Sequence, residues 1–195
     1  LPAGMGYPFF YHPSSLLMNN GDGTFRDVAA REGIEPPRDG RLLDKPIGGR
    51  PAARSSRCAA TADFDGDGRL DLLVNNFNDR PYYYQNRFPA GNYIAFRLTG
   101  TNSNRDAIGA LARLFCGGQQ MVRQVQCAGG YLSQSSKTLH FGLGDRTRVD
   151  RVEIRWPNGS TQAIVEPQIN RLHEVTEPTE RRHSDEPPAA LKIGD

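Results

Sequence analysis

Residues 63–71 carry the strongest signal in this sequence, and they read Asp63-Phe64-Asp65-Gly66-Asp67-Gly68-Arg69-Leu70-Asp71. Carboxylates stand at the first, third, fifth and ninth positions, so that alternating side chains turn toward one centre. Gly68, at the sixth position, permits the sharp turn that brings the chain around an ion. Hard oxygen ligands in this number favour calcium over a metal that prefers nitrogen or sulfur.

We therefore predict a structural calcium site in this loop. The expected ligands are the carboxylates of Asp63, Asp65 and Asp67, the backbone carbonyl of Arg69, and Asp71, which closes the shell. The carboxylates would repel one another in a compact fold unless a cation neutralised them. An Asp-Gly turn without metal is the alternative. The expected Kd is on the order of 10⁻⁴ to 10⁻³ M, as in extracellular calcium modules, or tighter if the site is buried.

The loop does not have the pattern of an EF-hand. Its twelfth position is Val74, where an EF-hand requires Glu, and an apolar strand follows instead of a helix. A calcium loop closed by Asp at the ninth position is typical of loops between strands. The sequence therefore predicts that the ion, when bound, stabilises β-structure.

Short apolar stretches separated by turn residues continue along the chain, whereas residues 35–57 are a basic, proline-containing loop. The regular spacing favours an all-β sandwich or barrel. The Asn-Gly pair at 158–159, between alternating stretches, is a strong hairpin signal. Besides a short strand before Asn19, the predicted strands are Thr24–Val28, Leu70–Asn75, Pro81–Gln85, Tyr93–Leu98, Ala110–Cys116, Met121–Cys127, Thr138–Leu143, Val149–Trp156, Thr161–Val165 and Arg171–Val175.

Composition excludes several classes of protein. The 195 residues carry a net charge of only +2, which gives no strong steering toward nucleic acid or anionic membrane. No apolar run approaches the roughly 18 residues that a membrane helix needs. The sequence begins at Leu1 without a signal segment, and we interpret it as a mature or truncated piece of a longer precursor.

The cysteines are odd in number: Cys58, Cys116 and Cys127. A bridge between Cys116 and Cys127 conflicts with the predicted hairpin, which places them too far apart for the roughly 7 Å limit on bonded Cα atoms. A bridge from Cys58 to either of them and three buried free thiols both remain open.

Two sets of motifs resemble known families. The loop at 63–71 with the strand after it, together with Asn20-Gly21-Asp22-Gly23-Thr24-Phe25, resembles FG-GAP/VCBS repeats over residues 14–87. Such repeats build calcium-stabilised β-propellers. Residues 90–176 resemble an ASPIC/UnbV domain, as found in the cartilage acidic protein family. The motifs are Gly100-Thr101-Asn102-Ser103-Asn104-Arg105-Asp106-Ala107-Ile108-Gly109-Ala110, Gly130-Tyr131-Leu132-Ser133-Gln134-Ser135-Ser136, Leu139-His140-Phe141-Gly142-Leu143-Gly144 and Val149-Asp150-Arg151-Val152-Glu153-Ile154-Arg155-Trp156-Pro157-Asn158-Gly159.

We therefore expect an all-β chain with a partial β-propeller-like repeat region at 1–88, a small β-sandwich or barrel at 89–176, and a flexible tail at 177–195. Because the repeats are too few to close a propeller, open sheet edges would be covered by other chains or by a missing N-terminal portion.

The resemblance implies a secreted, extracellular or cell-surface module, with the periplasm as a further possible location. Its partner would be a protein or glycan at the cell surface, with no nucleic acid and no transmembrane segment involved. None of the four histidines lies in a nucleophile motif or has zinc spacing, so we predict no catalytic residue. The alternatives are a structural subunit of a larger surface assembly and a fragment of a glycan-acting hydrolase.

Overall fold

The computed structural model describes residues 13–35, 38–54, 56–76 and 79–179. These residues form twelve β-strands, one 3₁₀-helix at Arg38–Arg41 and no α-helix, which confirms the all-β prediction. The strands are β1 (Leu17–Asn19), β2 (Phe25–Asp27), β3 (Ser56–Ala62), β4 (Asp71–Asn76), β5 (Tyr82–Tyr84), β6 (Asn92–Thr99), β7 (Leu111–Cys116), β8 (Gln119–Gln124), β9 (Leu139–Gly144), β10 (Arg151–Arg155), β11 (Thr161–Val165) and β12 (Leu172–Thr176).

Strand β3 is the element that the sequence analysis did not predict. Its residues carry no apolar alternation, and its burial is only intermediate along most of its length. Antiparallel pairing with β4, from Ser56 opposite Asn76 to Ala62 opposite Asp71, supplies the backbone hydrogen bonds that its side chains do not signal. The strand thus depends on its neighbour rather than on its own pattern.

The chain divides into two compact units, the first comprising the described residues up to Ala90 together with Ala128–Ser136. The first unit contains the β1–β2 hairpin and an antiparallel sheet in the order β3-β4-β5. The segment 128–136 is hydrogen-bonded to β3, because the Ser136 amide donates to the Thr61 carbonyl at 2.9 Å.

Few side chains are buried in the first unit. Among the described residues, its buried apolar side chains are those of Val28, Ala29, Ala52, Ala53 and Val74. Three of the five are alanines, so this unit gains little stability from burial of apolar surface. The propeller-like interpretation of this region stays a prediction, since the sheet has three strands and a propeller blade has four.

The second unit comprises Gly91–Cys127 and the residues from Lys137 onward. It has two sheets, a four-stranded one in the order β11-β10-β7-β8 and a three-stranded one in the order β12-β6-β9. All pairs are antiparallel except β12 with β6. Alternate residues of both sheets enter one hydrophobic cluster, which includes Phe96, Leu114, Phe141, Ile154 and Trp156. The predicted alternation of these strands therefore places their apolar faces on one core.

A buried carboxylate holds the loop that follows β6. Glu177 is only 1% exposed. One of its oxygens accepts hydrogen bonds from the backbone amides of Thr101, Asn102 and Ser103 at 2.9, 2.9 and 2.7 Å, and the other accepts from the Ser103 hydroxyl at 2.8 Å. Gly100 opens this loop, and a Cβ there would lie 2.1 Å from the Asn104 carbonyl oxygen.

Glu177 is the residue at which the sequence analysis placed the beginning of a flexible tail. Its burial and its hydrogen bonds make it part of the second unit instead. Residues 180–195 of the predicted tail lie outside the described residues.

All three cysteines are free in the structure. Cys116 is buried beside the two-residue turn at Gly117-Gly118, Cys58 is partly buried on β3, and Cys127 is exposed. The β7–β8 register ends with Leu111 opposite Gln124, which leaves Cys127 beyond the far end of the hairpin.

Replacing Glu177 by Ala should lower the free energy of unfolding of the second unit by about 2–4 kcal/mol, because three backbone amides would lose their acceptor. Urea denaturation followed by Trp156 fluorescence measures this change. Glu174→Ala is the matched control, since that side chain is 76% exposed and forms a surface ion pair with Arg97. The control should change stability by less than about 1 kcal/mol, and an equal loss in both variants would contradict the prediction.

The same contact predicts a pH dependence. Burial acts to raise the pKa of the Glu177 carboxyl, but the hydrogen bonds from Ser103, Thr101 and Asn102 outweigh it and hold the pKa below its ordinary value of 4.5. The ionised carboxylate therefore stabilises the fold fully above that value, and the contribution is lost as pH falls through the lowered pKa. The stability difference between wild type and Glu177→Gln should be constant at neutral pH and should shrink in acid, as measured by urea denaturation across the range.

Candidate metal centre

The acidic loop connects two antiparallel neighbours, β3 and β4. Asp63 follows the last residue of β3, and Asp71 is the first residue of β4. Carboxylate oxygens of Asp63, Asp65 and Asp67 lie within 4.8 Å of one another. The structure thus brings together three of the four carboxylates that the sequence analysis predicted as ligands.

The loop's own backbone orders the first of these side chains. The amide of Gly66 donates to one oxygen of Asp63 at 2.8 Å, and the amide of Gly68 donates to the other at 3.0 Å. Both glycines have positive φ, 77° and 85°, a region that other residues enter only with strain. Asp63 is therefore fixed by the two residues whose freedom makes the turn possible.

Two side chains that the sequence analysis did not identify contact the other carboxylates. The Arg69 guanidinium forms an ion pair with Asp67, and the Gln85 side-chain amide donates to Asp65 at 2.7 Å. Arg69 was predicted as a backbone-carbonyl ligand only. Its side chain offsets part of the negative charge, so the repulsion among the carboxylates is smaller than the sequence implied.

Asp71 is not a member of the cluster of three. Its side chain is 1% exposed. One oxygen accepts hydrogen bonds from the Phe64 amide at 3.2 Å and the Tyr83 hydroxyl at 2.9 Å, and the other accepts from the Asn86 amide at 2.8 Å. Asp71 thus ties the loop, β4 and the segment after β5 together, and the ligand role predicted for it stays a prediction.

The pKa of the Tyr83 hydroxyl is affected by the carboxylates in and next to the loop. Its pKa is raised to about 12, first by the hydrogen bond to Asp71, then by desolvation and by the negative charges of Asp71, Asp65 and Asp67. Each of these charges opposes formation of a phenolate. The same negative potential would attract a cation to the loop.

The donor set fits a hard divalent cation. The three clustered side chains offer oxygen atoms only, and two of them, Asp65 and Asp67, are exposed to solvent. Calcium takes six to eight oxygen ligands, including carboxylates, backbone carbonyls and water. The carboxylates of Asp63, Asp65 and Asp67 would hold such an ion, whose contribution would be charge neutralisation and rigidity of the loop.

A cleft of about 810 Å³ borders the loop within the first unit. Its lining includes Leu70, Asp71, Tyr83, Asn86 and Phe88. Several polar side chains there have hydrogen-bond partners, as in the Asn86 side-chain amide, which donates to the Leu70 carbonyl at 3.1 Å. The cleft therefore presents mainly apolar and aromatic surface.

Two further oxygen-bearing side chains, those of Asn104 and Asp106 in the second unit, are engaged in local contacts. The Asn104 side-chain oxygen accepts from the Ile108 amide at 2.8 Å, and Asp106 pairs with Lys137 at 2.5 Å. His140, a half-buried residue of β9, stacks on Tyr93 with ring centroids 5.4 Å apart. These side chains have structural partners, as the turn and strand patterns predict.

Replacing Asp71 by Ala should lower the free energy of unfolding of the first unit by about 2–3 kcal/mol even in excess chelator, because the partly buried amides of Phe64 and Asn86 and the Tyr83 hydroxyl would lose their acceptor. Asp65→Ala is the comparison, since its side chain is exposed, and in chelator it should cost less than about 1 kcal/mol. Chemical denaturation of both variants measures the difference. Equal losses would show that Asp71 does not act through these hydrogen bonds.

Comparison with known proteins agrees with part of the sequence interpretation. A family model described as ASPIC and UnbV matches residues 100–182. This confirms the resemblance of the C-terminal region, whereas the FG-GAP/VCBS resemblance stays a prediction.

Curated relatives align over much more of the chain. Cartilage acidic protein 1 of Homo sapiens is 28% identical over 207 aligned positions, which cover 95% of this chain and 28% of that protein. The Mus musculus protein is 28% identical over 179 positions, covering 87% of this chain and 26% of that protein. The Xenopus tropicalis protein is 28% identical over 127 positions, covering 62% and 20%. The chain thus spans about a quarter of the length of the curated relatives it matches.

Proposed function

We propose that this chain is an extracellular, calcium-stabilised binding module without catalytic activity. The observation that carries the proposal is the convergence of Asp63, Asp65 and Asp67 within 4.8 Å on a hairpin loop. An ion held there would fix the conformation of the loop that connects β3 to β4, because its three ligands all lie within that loop. Its role would be structural, like that of calcium in extracellular modules.

Because the first unit buries little apolar surface, binding of an ion would contribute a large share of its stability. This unit packs few large side chains, so its stability depends more on polar contacts and on the conformation of the loop. Binding of calcium to the folded loop alone would stabilise the unit through mass action. A module of this kind is folded where calcium is millimolar, which is the extracellular setting.

The expected partner is a protein at the cell surface, with a glycan as the alternative. Large apolar side chains are exposed on the first unit, including Leu17 at 62%, Phe25 at 61%, Phe64 at 54% and Tyr83 at 50%. Phe64 and Tyr83 pack edge to face with centroids 5.8 Å apart, and they stand next to the acidic loop. We expect the partner to contact this Phe64–Tyr83 pair.

The location proposed for the chain fits these features. The similarity to cartilage acidic protein 1 supports an extracellular module. Over the described ranges, no helix combines the length and apolar character required to cross a membrane. The weak affinity expected of the loop also requires a compartment with abundant free calcium.

Calcium at about 10 mM should raise the free energy of unfolding of the wild-type chain by roughly 1.5–3 kcal/mol relative to excess chelator, given a Kd of order 10⁻⁴ to 10⁻³ M. The thermal midpoint of the first unit should rise by about 5–15 °C. Asp67→Ala removes one carboxylate of the cluster and should abolish most of this shift. Differential scanning calorimetry at fixed ionic strength measures both.

Asp145→Ala is the matched control, since Asp145 is an exposed aspartate in the second unit and should retain the full calcium shift. Magnesium at the same concentration should stabilise the chain less, because it requires stricter octahedral geometry. A wild-type chain whose midpoint is the same in calcium and in chelator would rule out the calcium site.

A further inference from the structure

Strand β11 lies at one edge of the four-stranded sheet of the second unit. It pairs with β10 on one side, from Thr161 opposite Arg155 to Val165 opposite Arg151. Within the part of the chain that the structure describes, no strand pairs with its other side. This edge therefore presents unpaired backbone donors and acceptors.

The hydrogen-bond pattern decides which residues present them. The Trp156 amide donates to the Ser160 carbonyl, and the Glu166 amide donates to the Asp150 carbonyl. In an antiparallel pair, bonded positions alternate with non-bonded ones, so Gln162 and Ile164 also turn their backbone groups toward β10. The backbone groups of Thr161, Ala163 and Val165 then face the free edge.

This edge lacks the devices that normally protect a sheet edge. Natural edge strands carry charged side chains, proline or bulges that discourage strand addition. At the opposite edge of the same sheet β8 carries Arg123, and the edge strand β12 of the other sheet carries Glu174. The five residues of β11 are Thr, Gln, Ala, Ile and Val, without charge, glycine or proline.

The three edge-facing residues are also exposed, and Val165 is 72% exposed. Their side chains lie on the outer face of the sheet, whereas Ile164 packs against the core. An added strand would therefore extend the sheet without disturbing its packed side.

We propose that β11 is the contact through which two copies of this chain pair. The strand is self-complementary in an antiparallel arrangement about a two-fold axis at Ala163. Ala163 would then stand opposite its own counterpart, and Thr161 would stand opposite Val165 of the second copy. All three edge-facing residues would exchange backbone bonds, giving up to about six hydrogen bonds and one continuous sheet across both copies.

Electrostatic repulsion between the two copies would be small in this arrangement. On β10, the strand next to β11, the outer-face charges are Arg151, Glu153 and Arg155, and Arg151 pairs with Glu153 at 2.8 Å. Across the two-fold axis they would be about three strand spacings, or roughly 14 Å, from their counterparts. Like charges at that distance are largely screened at physiological salt.

The paired segment would be short, because β11 ends at Val165, and the affinity between the two copies would therefore be low. Glu166 adopts a positive φ of 47°, and Pro167 follows it, so the regular strand stops after Val165. Five residues form a small interface, which places the pair in the class of weak, concentration-dependent assemblies. This inference is independent of the calcium proposal, and it gives a definite geometry to the assembly hypothesis raised from the sequence.

Sedimentation equilibrium of the full chain, from about 10 µM to about 1 mM, tests the pairing. The weight-average mass should rise from the monomer value of 21.6 kDa toward twice that value and not beyond it. Ala163→Lys should hold the mass at the monomer value, because two ammonium groups would face each other across the axis. Runs in calcium and in chelator, with a melting curve for each variant, keep this result separate from the calcium site.

Matched variants make the test specific to β11. Gln120→Lys adds the same charge at an exposed position on the opposite edge strand, β8, and should pair like wild type. Ala163→Asp should be monomeric alone, and an equimolar mixture with Ala163→Lys should pair again.

Four results would overturn the proposal. These are a wild-type mass that stays monomeric at the highest concentration, pairing that survives Ala163→Lys, masses beyond the dimer, and a charge-complementary mixture that fails to pair. Should Ala163→Lys melt early, Ala163→Pro is the substitute, because its missing amide faces the free edge and leaves the β10 ladder intact.

Discussion

A buried carboxylate must find hydrogen-bond donors for its oxygens, and this constraint organises both units of the chain. Asp71 meets it with two backbone amides and a tyrosine hydroxyl, drawn from the loop before β4 and from β5 and the segment after it. Glu177 meets it with three consecutive amides and a serine hydroxyl from the loop after β6. In each case one side chain fixes backbone segments that no regular sheet would hold.

The two units depend on such contacts to different degrees. The second unit has one apolar cluster, filled from both sheets and closed by Trp156. The first unit buries mostly alanine and exposes several aromatic side chains. Because burial of apolar surface is the main source of folding free energy, the first unit draws a larger share of its stability from polar contacts, and a bound ion or partner would act on it most strongly.

In the acidic loop three carboxylates lie close together, and each of them has its own hydrogen-bond or ion-pair partner. Arg69 neutralises part of the charge through Asp67, Gln85 donates to Asp65, and glycine amides hold Asp63. The pKa of neighbouring Tyr83 is raised to about 12, mainly by its hydrogen bond to Asp71 and by desolvation, and further by the charges of Asp71, Asp65 and Asp67. Under the proposal of a calcium site, a bound cation would neutralise the charge that these contacts leave.

The amino-acid sequence by itself determined the all-β class, the strands of the second unit and the grouping of three aspartates on a hairpin loop. These follow from alternation, turn chemistry and short-range spacing, which act within a few residues. Only the tertiary structure decided that β3 is a strand, that Asp71 is buried and hydrogen-bonded to Phe64, Tyr83 and Asn86, and that Glu177 belongs to the second unit. Each of these depends on donors supplied by residues distant in sequence, up to 76 positions away for Glu177 and Thr101, which local patterns do not encode.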